Sequence, residues 1–185
     1  MTDEPLKLAE LTEDMAEQLM DFLDDFAAAG EPYRGDYWQQ AHDDFPAFVR
    51  KIRNNSEGKD LVPGHVPETM YVLVRGQTIL GGIHLRHRLT RSLRDLGGHI
   101  GYAVRPSHRR KGYGTEMLRL VLAEARGRGL RRVMVTCDAD NVASARVIEN
   151  NGGRLDSEGL SKRSGKVTRR YWIDLDRAGG PGESS

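Results

Sequence analysis

Between residues 104 and 115 the chain reads Val-Arg-Pro-Ser-His-Arg-Arg-Lys-Gly-Tyr-Gly-Thr. A strand has to stop at Pro106, which lacks the N–H a ladder needs, and a glycine-punctuated turn then leads straight into a helical pattern. That is the geometry of an anion site. The first amides of a helix have no internal partner and lie at the positive end of its dipole, so they can receive a phosphate. Gly112 and Gly114 permit close approach, Arg109, Arg110 and Lys111 add positive charge beside the turn, and Thr115 offers a hydroxyl. Together these predict a pyrophosphate-bearing, nucleotide-like ligand.

Other phosphate loops fit poorly. No lysine followed by Ser or Thr closes a P-loop, and Met117 stands where a dinucleotide fingerprint needs its third glycine. Nucleotide hydrolysis and hydride transfer therefore fall behind. Charge supports a polyanionic ligand: residues 84 to 132 hold thirteen Arg/Lys against three acids, whereas residues 1 to 30 hold nine Asp/Glu against Lys7 alone.

The rest of the chain supplies the frame. Leu6, Leu8 and Leu11 open a short strand, Thr12 is placed to cap a helix, and Met15, Leu19, Phe22, Leu23 and Phe26 repeat at helical spacing until Gly30. Residues 30–68 form a variable excursion on the substrate side, with Tyr33, Tyr37 and Trp38 as an aromatic lid or loop packing, and a helix around residues 45–52. Three strands in series, over residues 71–74, 79–89 and 99–104, predict an antiparallel meander. A helix over residues 112–128, a buried strand over 133–137, a shorter helix capped by Asn141 and a late strand over 167–175 complete an α/β (α+β) sheet with helices on its faces. At 185 residues this is one domain, residues 1–177, followed by a disordered tail at 178–185.

Cys137 is the only cysteine, so neither a disulfide nor a cysteine-based metal cluster can form within the chain, which suits a reducing cytoplasm. The acidic start does not read as a signal peptide, and no apolar run is long enough to span a membrane. A soluble protein with no bound metal is expected.

Arg109-x-x-Gly112-x-Gly114 resembles the Gln/Arg-x-x-Gly-x-Gly/Ala signature of the GNAT N-acetyltransferases, and it follows a Val-x-Pro strand end as in that family. The segment Thr136-Cys-Asp-Ala-Asp-Asn141, with Val-Ala-Ser144 opening a helix that closes in Asn150-Asn-Gly-Gly153, is similar to the family's second motif, in the correct order. His99-Ile-Gly-Tyr102 with residues 109–118 looks particularly like predicted bacterial acetyltransferases without assigned substrates. The resemblance implies a mixed, mostly antiparallel GNAT sheet and an enzyme that moves an acetyl group from acetyl-coenzyme A to a primary amine. It also implies that backbone amides of residues 109–115, Tyr113 included, cradle the coenzyme's pyrophosphate. The strand through Tyr102 to Val104 would then pair with the pantetheine arm, and Asn141 and Ser144 would contact that arm near its thioester.

Amine acetylation needs a base, because a lysine-like amine of pKa about 10.4 is protonated at neutral pH. His99 is the first candidate, since it precedes Ile-Gly-Tyr where several GNAT enzymes place a glutamate; its alternative is an imidazole packed on the sheet. His84 and His87 are weaker candidates, and Glu68 is a second base or surface. Many family members place a tyrosine seven residues after the equivalent of Asn141 as general acid; Ile148 stands there, which leaves Tyr102 or solvent for that role. A backbone amide near Val104 is placed to stabilise an oxyanion.

The acceptor is read only as a small-molecule or peptide amine. A homodimer is the commonest assembly for such a chain. Two other functions stand beside transfer: a nucleic-acid-binding module using the basic middle and residues 161–170, and an acyl-coenzyme A sensor without turnover. Neither a membrane nor a nucleic acid is expected as partner.

Overall fold

The computed structural model describes residues 4–31 and 36–176. In chain order the elements are β1 (Lys7–Glu10), α1 (Ala16–Ala28), α2 (Asp36–Asp43), α3 (Phe45–Ser56), β2 (Glu68–Arg75), β3 (Thr78–Arg86), α4 (Arg91–Asp95), β4 (Ile100–Val104), α5 (Tyr113–Gly127), β5 (Arg132–Asp138), α6 (Val142–Asn150), β6 (Arg154–Leu160) and β7 (Val167–Asp174). The strands form one sheet in the order β1-β2-β3-β4-β5-β7-β6. Every join is antiparallel except β4–β5, which is parallel and crosses over through α5. The expected mixed, mostly antiparallel sheet is therefore present.

Alternation along the central strands explains the two apolar layers. Leu80, Ile83, Leu85 and Ile100 face Met117, Leu118 and Val121 of α5 and Ile148 of α6. Met70, Val72 and Ile79 face Phe22 and Phe26 of α1 and Phe48, Val49 and Ile52 of α3. Because helices cover both faces, β2 is buried almost along its whole length, and each fully buried Leu, Ile or Phe contributes on the order of 1.5–3 kcal/mol.

Local details depart from expectation. Thr12 makes no side-chain cap; α1 is instead entered through a 3-10 turn over Glu13–Met15. The polar turn after β3 contains α4, one turn long, whose Leu93 N–H donates to Thr90 Oγ1 at 3.2 Å. The tail at residues 178–185 and Tyr33 lie outside the described residues, as does the Tyr37 side chain.

The feature that positions the site is a divergence. β4 and β5 share a single ladder pair, Ile100 with Val135, yet β4 runs on to Val104 and β5 to Asp138. Beyond Ile100 the β5-facing edge of β4 has no ladder partner, and two parallel strands part there like the limbs of a V.

Candidate active site

The turn between β4 and α5 adopts the backbone its glycine demands. Gly112 is the N-cap of α5 with φ +82°, a left-handed conformation that costs a residue with a Cβ roughly 1–2 kcal/mol. Arg110 is also left-handed, at φ +61°. No side chain caps α5. Its first backbone bond runs from Glu116 N–H to Gly112 O at 3.1 Å, so the amides of Tyr113, Gly114 and Thr115 precede the ladder. Gly114 is buried, and a Cβ there would lie 3.3 Å from Val147 Cγ2 and 3.4 Å from Val104 Cγ2. Gly112 is thus required by backbone conformation and Gly114 by the closeness of β4 and α6.

Of the three cations, Arg109 is the one paired with a carboxylate among the described residues. Arg109 donates to both carboxylate oxygens of Glu31, at 2.8 and 2.7 Å, and through Nε to the Val104 carbonyl at 3.2 Å. It fastens the turn to the end of α1 as well as adding charge. Arg110 and Lys111 are exposed. Arg75, which the sequence did not point to, brings a fourth cation: its guanidinium donates to the Tyr113 hydroxyl at 3.1 Å and lies over that ring.

At the start of α6, Asn141 Oδ1 accepts from Ser144 N–H at 3.0 Å, the cap its spacing predicts. Tyr102 reaches across the gap, its hydroxyl 3.5 Å from the Ser144 carbonyl. Burial pushes that phenol up to about 12. Tyr102, Val104, Gly114, Asn141 and Ser144 therefore come together around the divergence. Ile148 is fully buried in the core and offers no proton. Asn151, also unforeseen, ties the two helices by donating to the carbonyls of Thr115 and Val147 at 3.1 and 2.9 Å. Cys137 is a buried core residue whose thiol burial pushes up.

His99 is not brought to the site. It sits where β4 and β5 still pair, with its N–H donating to the Met134 carbonyl at 2.8 Å and its Nδ1 accepting from Met134 N–H at 2.9 Å. Its ring packs against Trp172. Burial, with Arg94 and Arg86 nearby, holds the imidazole down to about 4, so it is neutral at physiological pH and its Nδ1 lone pair is committed to the backbone. These contacts are those of the packed alternative for His99.

A cleft of about 190 Å³ opens on the opposite face of the same strands, lined by Phe22, Trp38, Met70, Gly82, His84, Gly101, Tyr102 and Ala103. Gly82, Gly101 and Ala103 make a floor of small residues, and Trp38 and Phe22 make an apolar wall. His84 is paired in register with Gly101 on β4 and Met70 on β2, and its Nδ1 is 3.7 Å from Glu68 Oε1. Arg86 Nε is 3.4 Å from the other oxygen of Glu68. Burial alone would raise the Glu68 carboxyl; the contact with His84 and the charge of Arg86 outweigh it and hold the carboxyl below its usual range. Among the described residues no cluster of His, Cys, Asp or Glu is suited to a metal ion, and no helix is long and apolar enough to cross a membrane.

Comparison with known proteins gives this arrangement a family. The family model described as an acetyltransferase (GNAT) domain matches residues 6–154. No curated protein sequence matches the chain. Among solved structures, the ribosomal-protein-S5-alanine acetyltransferase of Vibrio fischeri is similar with a TM-score of 0.70 at 14% identity, covering 97% of this chain and 98% of its own. RimJ of Mycobacterium smegmatis, solved with a coenzyme A disulfide, gives 0.71 at 15% identity over 95% and 84%. The protein yncA of Salmonella typhimurium, solved with its cofactor acetyl-coenzyme A, gives 0.60 at 14% identity over 97% and 99%. The chain therefore belongs to the GNAT acetyltransferases, enzymes that draw their acetyl group from acetyl-coenzyme A.

Proposed function

We propose that the protein acetylates a primary amine by direct attack, the amine being carried by a peptide or a small molecule. One observation carries the reading: the uncapped start of α5 and the unpaired edge of β4 meet at one point, the divergence of β4 from β5. The residues there fit the coenzyme, because left-handed Gly112 and buried Gly114 keep side chains away from the amides a pyrophosphate would occupy. Acetyl-coenzyme A, when bound, supplies an activated acyl carbon. Residues 109–115 hold its pyrophosphate, with Arg110, Lys111 and Arg75 contributing charge. The edge from Tyr102 to Val104 receives the pantetheine arm as an added strand, and Asn141 and Ser144 orient it at the α6 start. The amine enters from the cleft over Gly82 and Gly101. A peptide acceptor is favoured by the structural relatives, one of which acts on a ribosomal-protein alanine.

The nucleic-acid alternative is weakened by how the basic residues are spent. Arg169 pairs with Glu158, Arg170 with Asp95 and Lys166 with Asp138, so much of the basic segment at residues 161–170 is tied within the protein. The test is calorimetric titration of acetyl-coenzyme A into the wild type and a Gly112→Val/Gly114→Val double variant. Saturable binding by the wild type and none by the folded variant is expected; a folded wild type that takes up no acetyl-coenzyme A overturns the proposal.

A further inference from the structure

With His99 committed to Met134, a proton acceptor for the incoming amine has to be found elsewhere. The cleft contains one imidazole, His84. Its ring stands on β3 opposite Gly101, a position without a side chain, so nothing of Gly101 separates it from the edge of β4 that carries the divergence. Directly opposed positions in an antiparallel pair are about 4.5–5.5 Å apart, so the imidazole overlooks the strand on which the acyl group would lie. Its Nδ1 faces the Glu68 carboxylate at 3.7 Å, while Nε2 has no hydrogen-bond partner among the described residues. Glu68 in turn is held by Arg86, whose NH1 donates to the carbonyls of Gly97 and Gly98 at 3.2 and 3.3 Å. The result is a chain of three groups on neighbouring strands, anchored at one end to a turn and ending at the other in the His84 ring that lines the cleft.

Resting on the acetyl-transfer reading above, we infer that His84 Nε2 accepts the proton of the acceptor amine and that Glu68 is the positioning residue that makes Nε2 the basic nitrogen. A carboxylate beside Nδ1 favours the tautomer with the proton on Nδ1, leaving the lone pair on Nε2. As the amine attacks, its N–H bond breaks and the proton passes to Nε2. The nitrogen electron pair forms the new N–C bond, and the pair of the breaking C–S bond leaves with the coenzyme's sulfur. Arg86 and His65 are the other charged or titratable groups near Glu68, and Phe22 and Trp38, on the helices over the cleft, carry no charge.

The experiment reads the His84 tautomer first, by long-range ¹H–¹⁵N correlation on the uniformly labelled protein above pH 8, which needs no acceptor and no substitution. The proton is expected on Nδ1 in the wild type, with that preference lost in Glu68→Gln; a proton on Nε2, or a preference unchanged in Glu68→Gln, overturns the inference. The second arm measures transfer to the amino terminus of a synthetic peptide. His84→Gln is expected to bind acetyl-coenzyme A within twofold of wild type and to lose at least about 100-fold in kcat; an unchanged kcat overturns the inference. Failure of the acetyl-transfer reading looks different, since the wild type would then bind no acetyl-coenzyme A, or bind it and transfer acetyl to no amine, whatever the tautomer.

Discussion

Arg105 and Asp25 are joined across 80 residues of sequence: the Arg105 Nε donates to Asp25 Oδ2 at 3.0 Å. The same oxygen accepts from the Ser107 hydroxyl at 2.7 Å and the Ser107 N–H at 3.2 Å, while Asp21 takes Arg105 NH1 at 2.8 Å. The acidic face of α1 is thus spent on holding the turn that leads to the proposed phosphate site. With Arg109 on Glu31, the helix that walls the cleft and the loop proposed for the coenzyme are fastened together.

Asp25 follows from this as a stability determinant. Burial would raise its carboxyl, but Ser107 and Arg105 together lower it. A carboxyl lowered in the folded state adds stability that is present above its unfolded pKa of about 3.9 and lost as pH falls through the folded value. Asp25→Asn should destabilise the protein by about 1.5–3 kcal/mol at pH 7, less than a fully buried pair because Asp21 is well exposed. Urea unfolding at pH 7 and pH 3 checks this, with the difference between variant and wild type shrinking at the lower pH.

Asn141 separates capping from coenzyme contact. Asn141→Ser keeps a cap oxygen and should cost only a few tenths of a kcal/mol, whereas Asn141→Ala should cost about 1 kcal/mol. If the side chain also orients the pantetheine arm, both variants weaken acetyl-coenzyme A binding about equally. Thermal melts beside calorimetry decide it: affinity that tracks melting temperature reduces Asn141 to a cap.

These local devices were legible because their partners are close in sequence. Gly112 follows from a backbone rule that acts within a turn, and the Asn141 cap spans three residues. The antiparallel meander was foreseen because the apolar runs at 71–74 and 79–89 are divided by the Gly76-Gln77 turn; the order of the strands beyond it was not. What the sequence left open depends on register. His84 faces the cleft because β3 pairs it with Gly101 on one side and Met70 on the other, and Glu68 reaches it only through the β2–β3 pairing. His99 lies one ladder step before the strands part, and nothing in its local sequence says on which side of that step it falls. Arg75 beside Tyr113 and Arg105 between the α1 acids are likewise products of tertiary folding.

His99 gives a pH signature of its own. Its folded value near 4 is below the unfolded value of about 6.5. The unfolded chain therefore binds its proton first as pH falls, so stability is full above about 6.5 and declines until about 4, by roughly 2–3 kcal/mol. His99→Gln should flatten this slope between pH 6.5 and 4 while leaving transfer chemistry in place. Denaturant titrations at pH 7.5 and 4.5 read the slope, and a variant as steep as wild type would place its cause elsewhere.

Tyr102 is the remaining candidate for the leaving sulfur, and its pKa limits what it does there. A phenol at about 12 keeps its proton, whereas a thiol titrates near 8.5, so full transfer from the one to the thiolate of the other is uphill by roughly 5 kcal/mol. A hydrogen bond to the departing sulfur meets no such penalty and is worth about 1.5–3 kcal/mol when the acceptor is charged. Tyr102→Phe should therefore lower kcat by about tenfold to a hundredfold, leave acetyl-coenzyme A affinity nearly unchanged, and shift no limb of the pH–rate profile. Kinetics from pH 6 to 10 test this, and the appearance of a new alkaline limb or a loss beyond a thousandfold would restore Tyr102 as a proton donor in its own right.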